Sequence, residues 1–277
     1  MEHTLMEHTL MENTIMENTI KSTICNPIND IWIHIFQTIG YDGTQEQVIS
    51  TTQIKDARNS WTGKKNQFEP RLLCKYDSSE SRPEIFKHYN ICILSISNES
   101  YLLTKTDIYF TLDYPISPLI ELHKNHDSIL LQIGNSEMSN IDNLRYCGLF
   151  EQSEYLNEPI LFGSLLGGRH RCNFTTKLGS SEITVSGSQF ETDSCYESQH
   201  KILLIEGKTG NTKSFNIRQI YYSYRTIYDK VFDKKEIIPI FINKDSKNII
   251  HIWKLAFADP LEFTSIQCIS YNKYKFV

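Results

Sequence analysis

Residues 201–208 read KILLIEGK, an aliphatic run that turns polar within the length of one strand. A short apolar run of this kind reads as a strand covered on both faces, which belongs inside a sheet rather than at its edge. Side chains alternate along a strand, so Glu206 and Lys208 project from the same face at its polar end. Unpaired charge inside a protein is costly, so a carboxylate and an ammonium at that place need partners or a chemical role.

The preceding stretch, EITVSGSQFETDS, also has strand character. Alternation puts Gln189, Glu191, Asp193, Cys195 and Glu197 on one face and Phe190, Thr192 and Tyr196 on the other. If the two stretches form an antiparallel hairpin, Asp193 or its neighbour lies beside Glu206. Two carboxylates side by side repel unless a cation lies between them. Hard oxygen ligands on an ordinary sheet favour Mg2+. A lysine two residues beyond the second carboxylate can orient a water or stabilise charge developing on a phosphate. The pattern therefore predicts phosphodiester hydrolysis, with Asp193 and Glu206 as metal ligands and Lys208 as the fixed cation. Glu191 shares the face of Asp193 and could assist or replace it, whereas Glu197 lies toward the turn. The competing reading is a salt-bridged hairpin, in which Glu206 and Lys208 pair with neighbours and no metal binds.

Composition narrows the surroundings of this motif. A chain of 277 residues, 40% hydrophobic and 12% aromatic, can bury a full core. Its formal net charge of -5 means that any surface for nucleic acid must be a local basic patch. Three places supply candidates: Arg169, His170 and Arg171 in GGRHR, Lys213, and Arg218 with Arg225 on a tyrosine-rich helix, FNIRQIYYSYRTIYDKVF. That helix can equally be an amphipathic one with its tyrosines in the core. The seven cysteines are widely spaced and none forms the C-x-x-C of a zinc site, so reduced thiols in a cytoplasmic protein are expected. No apolar run approaches the roughly 18 residues of a membrane span, and a signal-peptide pattern is lacking at the start.

The chain divides by pattern into three parts. Residues 1–20 repeat MEHTL and MENTI with a period of five, which fits neither helix nor strand and predicts a loose tail. Residues 21–140 read as an N-terminal α+β lobe. Within it DIWIHIFQTIG predicts a helix stopped by Gly40, and ISTTQIKDA a second helix capped by Ser50, Thr51 or Thr52. These two helices suit either a DNA-reading pair or plain packing. NICILSIS, SYLLTKTDIYFTL and SILLQIG follow as strands. Residues 141–277 read as the catalytic core: a helix from Ile141, two strands, the tyrosine-rich helix, then strands at IIPIFIN and NIIHIWKLAF. That order predicts an α/β fold with a central mixed sheet flanked by helices.

Taken together, QFETD, LLIEGK and FNIRQIYYSYR are similar to the PD-(D/E)XK nuclease motif. More narrowly, they resemble a group of bacterial type II restriction endonucleases with a Gln-x-Glu-x-Asp strand, a Glu-x-Lys strand and an Arg-Gln-x-Tyr-Tyr helix. FEPRLLCKYD, RPEIF, ILSISNESYLL, GGRHR and FADPLEFTSI fit the same pattern, so the resemblance covers most of the chain after residue 28. It implies a restriction-endonuclease-like core and Mg2+-dependent cleavage of double-stranded DNA at a short sequence, leaving a 5′-phosphate. Carried over, Asp193, Glu206 and Lys208 are the catalytic set, and Gln219 matches the glutamine of the following helix. The first motif has Thr-Asp in place of Pro-Asp, Gly207 stands between the catalytic positions, and Ser223 stands where proline is expected. A homodimer on a palindromic site and a companion DNA methyltransferase also follow. The rivals are a repair or recombination nuclease of the same fold and a DNA-binding protein with an inactive site.

Overall fold

The computed structural model describes residues 26–62, 69–123, 128, 129, 134, 136–231 and 233–277. The pentapeptide repeats and most of the strand expected at SILLQIG lie outside these residues.

Helix α1 spans Pro27–Ile39. The Asn26 side chain accepts from the Ile28 N–H, proline stands at the first position, and Gly40 ends the helix in the left-handed region at φ 68°. Its buried face carries Ile31, Trp32, Ile35 and Phe36. Strand β1 (Gln47–Ser50) leads directly into α2 (Thr51–Ser60). Of the three caps expected, Ser50 is the one used: it accepts from Gln53 N, and Gln53 returns a carboxamide oxygen to Ser50 N. A strand thus separates the two helices, and they bury Ile54 and Ala57 as well as the α1 face in the core. They are packing helices, not a helix-turn-helix. Short helices α3 (Pro70–Leu73) and α4 (Glu84–His88) follow. Strands β2 (Cys92–Ser95) and β3 (Ser100–Thr104) complete an antiparallel sheet in the order β1-β3-β2. Next come β4 (Tyr109–Thr111) and β5 (Leu119–Leu122).

Helix α5 runs Glu137–Tyr146, capped by Ser136. It therefore starts four residues before the expected Ile141. Gly148, at φ 72°, breaks it before the short 3-10 turn at Leu149–Glu151. Strands β6 (His170–Leu178) and β7 (Ser181–Phe190) form an antiparallel ribbon. Strand β8 (Ser194–Glu197) pairs instead with β9 (Lys201–Thr209). The stretch expected as one strand is thus divided, and residues 191–193 carry the chain from the ribbon into the main sheet.

After β10 (Ser214–Asn216), which pairs with β4, helix α6 (Arg218–Val231) leads to β11 (Glu236–Lys244). Strands β12 (Ile250–Phe257) and β13 (Ile266–Phe276) close the chain. The main sheet has six strands in the order β5-β13-β12-β11-β9-β8 and is mixed: β9 with β11 and β13 with β5 are parallel. The return from β9 to a parallel β11 needs a crossover, and α6 supplies it. The fold is mixed α/β.

Strand β9 is buried on both faces, as its aliphatic run predicts. Ile202 and Leu204 join a core that extends from Ile31 and Trp32 through Tyr222, Phe241 and Trp253. Leu203 and Ile205 join a second core with Ile141 and Leu144 of α5. Helix α6 therefore covers one face of the sheet and α5 the other. Alternation along β9 assigns Glu206 and Lys208 to the α6 side.

Candidate active site

The ladder between β8 and β9 begins at Ser194 opposite Ile205. One step further out, Asp193 stands across from Glu206. Asp193 Oδ2 accepts the Gly207 N–H at 2.7 Å. Glu206 is only 6% exposed. Its Oε1 accepts two donors, Lys208 Nζ at 2.6 Å and Gln219 Nε2 at 2.7 Å. Lys208 Nζ also reaches Gly207 O at 3.0 Å. Asp193, Glu206, Lys208 and Gln219, which come from three elements, therefore meet at one point. Gln219 Oε1 is buried without a hydrogen-bond partner among the described residues, an acceptor suited to a bound water.

Charge at this point is unbalanced. Burial pushes the Glu206 carboxyl up to about 8; the Lys208 ammonium opposes the rise, while Asp193 and Asp77 add to it. Burial works against the charge on Lys208, but Glu206, Glu137 and Asp193 outweigh it and raise its pKa, so the ammonium stays protonated. Glu137 is likewise raised, mainly by burial and further by Asp193 and Asp77. Glu206, Glu137 and Asp193 thus all act on one lysine, while Asp77 pairs with Lys75 at 3.5 Å.

Glu137 and Asp77 were not singled out by the sequence. Glu137 opens α5, and its Cβ lies 3.4 Å from where a side chain at Gly207 would begin. The signal was the Ser136 cap, which a helix starting at Ile141 overlooks. Asp77 belongs to the N-terminal lobe; it ends the FEPRLLCKYD segment, but nothing in that segment assigns it to the site. Its backbone oxygen accepts from Asn216 N at 2.8 Å, which fixes its turn against β10.

The remaining expected residues are distributed as follows. Glu191 is exposed and pairs with Arg169 Nε at 2.8 Å, so Asp193 and not Glu191 is the one brought to Glu206. Glu197 binds Lys235 at 2.5 Å at the far end of the hairpin. His170 and Arg171 lie on β6 rather than in a loop: the His170 ring packs at a tilt against Phe190, and Arg171 donates to Gly187 O. Arg218 donates to Gln189 O at 2.6 Å and lies over the Tyr222 ring, tying α6 to the ribbon. Arg225 is 4% exposed, pairs with Asp229 and packs on Phe174 and Tyr228, so it points into the core with Tyr221, Tyr222 and Tyr224. Lys213 is exposed and borders a cavity of about 320 Å3 that opens beside Lys208.

Asp193 and Glu206 suit Mg2+ by their chemistry. Both donors to Glu206 use Oε1, and Gly207 uses Oδ2 of Asp193, which leaves Oε2 and Oδ1 for a cation. Mg2+ is commonly held by one or two carboxylates, with waters and substrate phosphates completing the shell. Among the described residues no group of three or more His, Cys, Asp or Glu is placed to hold a metal ion, so any cation here would rest on these two carboxylates. The six described cysteines are free thiols, and no helix among the described residues is long and apolar enough to cross a membrane.

Comparison with known proteins identifies two segments. Residues 29–103 match the family described as Domain of unknown function (DUF6996), and residues 104–275 match Domain of unknown function (DUF6997). The boundary falls at the end of β3, so Asp77 comes from the first segment and Glu137, Asp193, Glu206, Lys208 and Gln219 from the second. A search of curated proteins and a search of solved structures each return no match. The longer segment spans more than half of the chain, and the protein belongs to the DUF6997 family.

Proposed function

We propose that the chain is a Mg2+-dependent DNA endonuclease with a restriction-endonuclease-like core, acting on double-stranded DNA at a short specific sequence. The observation that carries this reading is the convergence of Asp193, Glu206, Lys208 and Gln219: Lys208 and Gln219 both donate to Glu206 Oε1, and the Gly207 N–H holds Asp193 Oδ2 beside them. A salt-bridged hairpin with a purely structural role also predicts the 2.6 Å bond between Lys208 and Glu206. It does not predict that Gln219 from the next helix binds the same Oε1, or that Asp193 is held beside the pair by the Gly207 N–H.

In this reading Asp193 and Glu206 hold the cation. When bound, Mg2+ neutralises phosphate charge and lowers the pKa of a water. Gln219 fixes the Glu206 carboxylate through Oε1. Gly207 N does the same for Asp193, so both ligands are set before substrate arrives. Lys208 stays protonated and offers fixed positive charge to a phosphate oxygen or to the attacking water. Arg169, Arg171 and Lys213 are exposed cations and are assigned to the DNA backbone. A palindromic target would be matched by a homodimer, with a DNA methyltransferase of the same specificity protecting the host.

The test is incubation with long methylation-free DNA in Mg2+ or in EDTA, beside Lys208→Ala and Asp193→Ala variants. Discrete bands that need Mg2+ and vanish in both variants support the proposal. Cutting only at junctions or unpaired regions points to a repair nuclease. Binding without cutting points to an inactive DNA-binding protein, and neither binding nor cutting leaves the structural hairpin.

A further inference from the structure

The cavity beside Lys208 lies where the two family segments meet. One wall is the turn at residues 77–80, and the other is the connection from Thr209 to Phe215. The turn is fastened in place. Ser79 N donates to Ser214 Oγ at 2.9 Å, Ser214 Oγ donates to Glu80 Oε2 at 2.8 Å, and Asn216 N holds Asp77 O. Its volume of about 320 Å3 falls at the small end of ligand sites, roughly 300–1,000 Å3. That suits one nucleotide-sized group and not a base pair.

The lining sorts the parts of a nucleotide. Asp77 and Glu80 line one wall; Glu80 Oε2 already accepts from Ser214 Oγ and Asp77 Oδ2 lies 3.5 Å from Lys75 Nζ, and the two carboxylates repel phosphate and can accept further hydrogen bonds from amines. Asn211 on the facing wall offers both a donor and an acceptor. Lys208 at one side and Lys213 on the facing connection supply positive charge for flanking phosphates. Carboxylates of this kind pair with the exocyclic amine of cytosine, and adenine carries the equivalent donor. Thymine has no exocyclic amine. Enzymes that act on DNA admit a single base to such a pocket by swinging it out of the stack.

We infer that this cavity is a nucleobase subsite: it takes one extruded base next to the bond that is cut and prefers bases bearing an exocyclic amine over thymine. The inference rests on the nuclease reading for the bond beside it and goes beyond that reading by naming what the cavity holds. The experiment is calorimetric titration of the intact chain, in Mg2+, with the four deoxynucleoside 5′-monophosphates. The amine-bearing nucleotides are expected to bind roughly tenfold more tightly than thymidine monophosphate, the worth of one hydrogen bond to a charged group. Glu80→Gln and Asp77→Asn should each narrow that gap, with thermal unfolding to show that the variant is folded; if one does not fold, the other carries the test. Equal binding of all four, a preference for thymidine, or no saturable binding overturns the inference. Cleavage of long DNA without any base preference removes the subsite alone. A base preference in a chain that never cleaves removes the nuclease reading and leaves the subsite.

Discussion

Replacing Glu206 by glutamine should change how stability depends on pH, in a way that follows from the burial of its carboxyl. The Glu206 carboxyl titrates near 8 in the folded chain, against an ordinary value of 4.5. A raised folded pKa means that the folded form holds its proton longer than the unfolded form. The stabilisation is therefore complete below the ordinary value and is lost as pH rises toward 8. Each unit of difference is worth about 1.4 kcal/mol. Between about pH 5 and pH 8 the wild-type chain should thus lose on the order of 3 kcal/mol from this group alone. Glutamine carries no proton to lose, so the Glu206→Gln chain should lack that slope. Lys208 does not confuse the comparison, because its raised pKa keeps it charged across the whole window. Thermal unfolding in EDTA at several pH values is the assay, with roughly 2–4 °C expected for each kcal/mol in domains somewhat smaller than this chain. Adding Mg2+ should restore the wild-type midpoint most strongly at the alkaline end and should do little for Glu206→Gln. Parallel pH profiles for the two chains would refute the idea that burial beside Asp193 raises the Glu206 carboxyl.

Three further outcomes are expected. Lys208→Ala and Asp193→Ala should each lower cleavage on the order of a hundredfold or more, as removal of a charge-stabilising group does, read from initial rates on long DNA. Arg225→Ala should cost about 3 kcal/mol of stability, because it removes a buried cation and the filling between Phe174 and Tyr228, and denaturant melts check this. Ser50→Ala should cost about 1 kcal/mol through loss of the α2 cap, with cleavage unchanged in the same assay.

Much of the local architecture was legible. The α1 stop at Gly40, the Ser50 cap and the buried β9 strand each follow from a few neighbouring residues, because caps, left-handed turns and alternation are local geometry. Asp193, Glu206 and Lys208 could be expected together, since a hairpin brings short-range neighbours into contact, whereas Gln219 followed only from the resemblance of the next helix. Division of the stretch on either side of Asp193 between two sheets was not legible. Both halves have the same strand pattern, and only partner strands outside the stretch decide which ladder each joins. The cations on α6 show the same limit. Arg218 and Arg225 look alike in sequence, but their directions depend on which helix face meets the ribbon.

By itself the sequence determined that β9 is an interior strand and that its polar end carries a carboxylate and an ammonium on one face. The reason is alternation, which needs no information from elsewhere in the chain. Only the tertiary structure decided that Asp193 and not Glu191 meets Glu206, that Arg225 is buried, and that Glu137 and Asp77 join the site. Those outcomes depend on contacts between residues far apart in the chain, as when Asn216 N holds the turn at Asp77. Such contacts are set by how the helices and sheets pack, and no short stretch of sequence contains them.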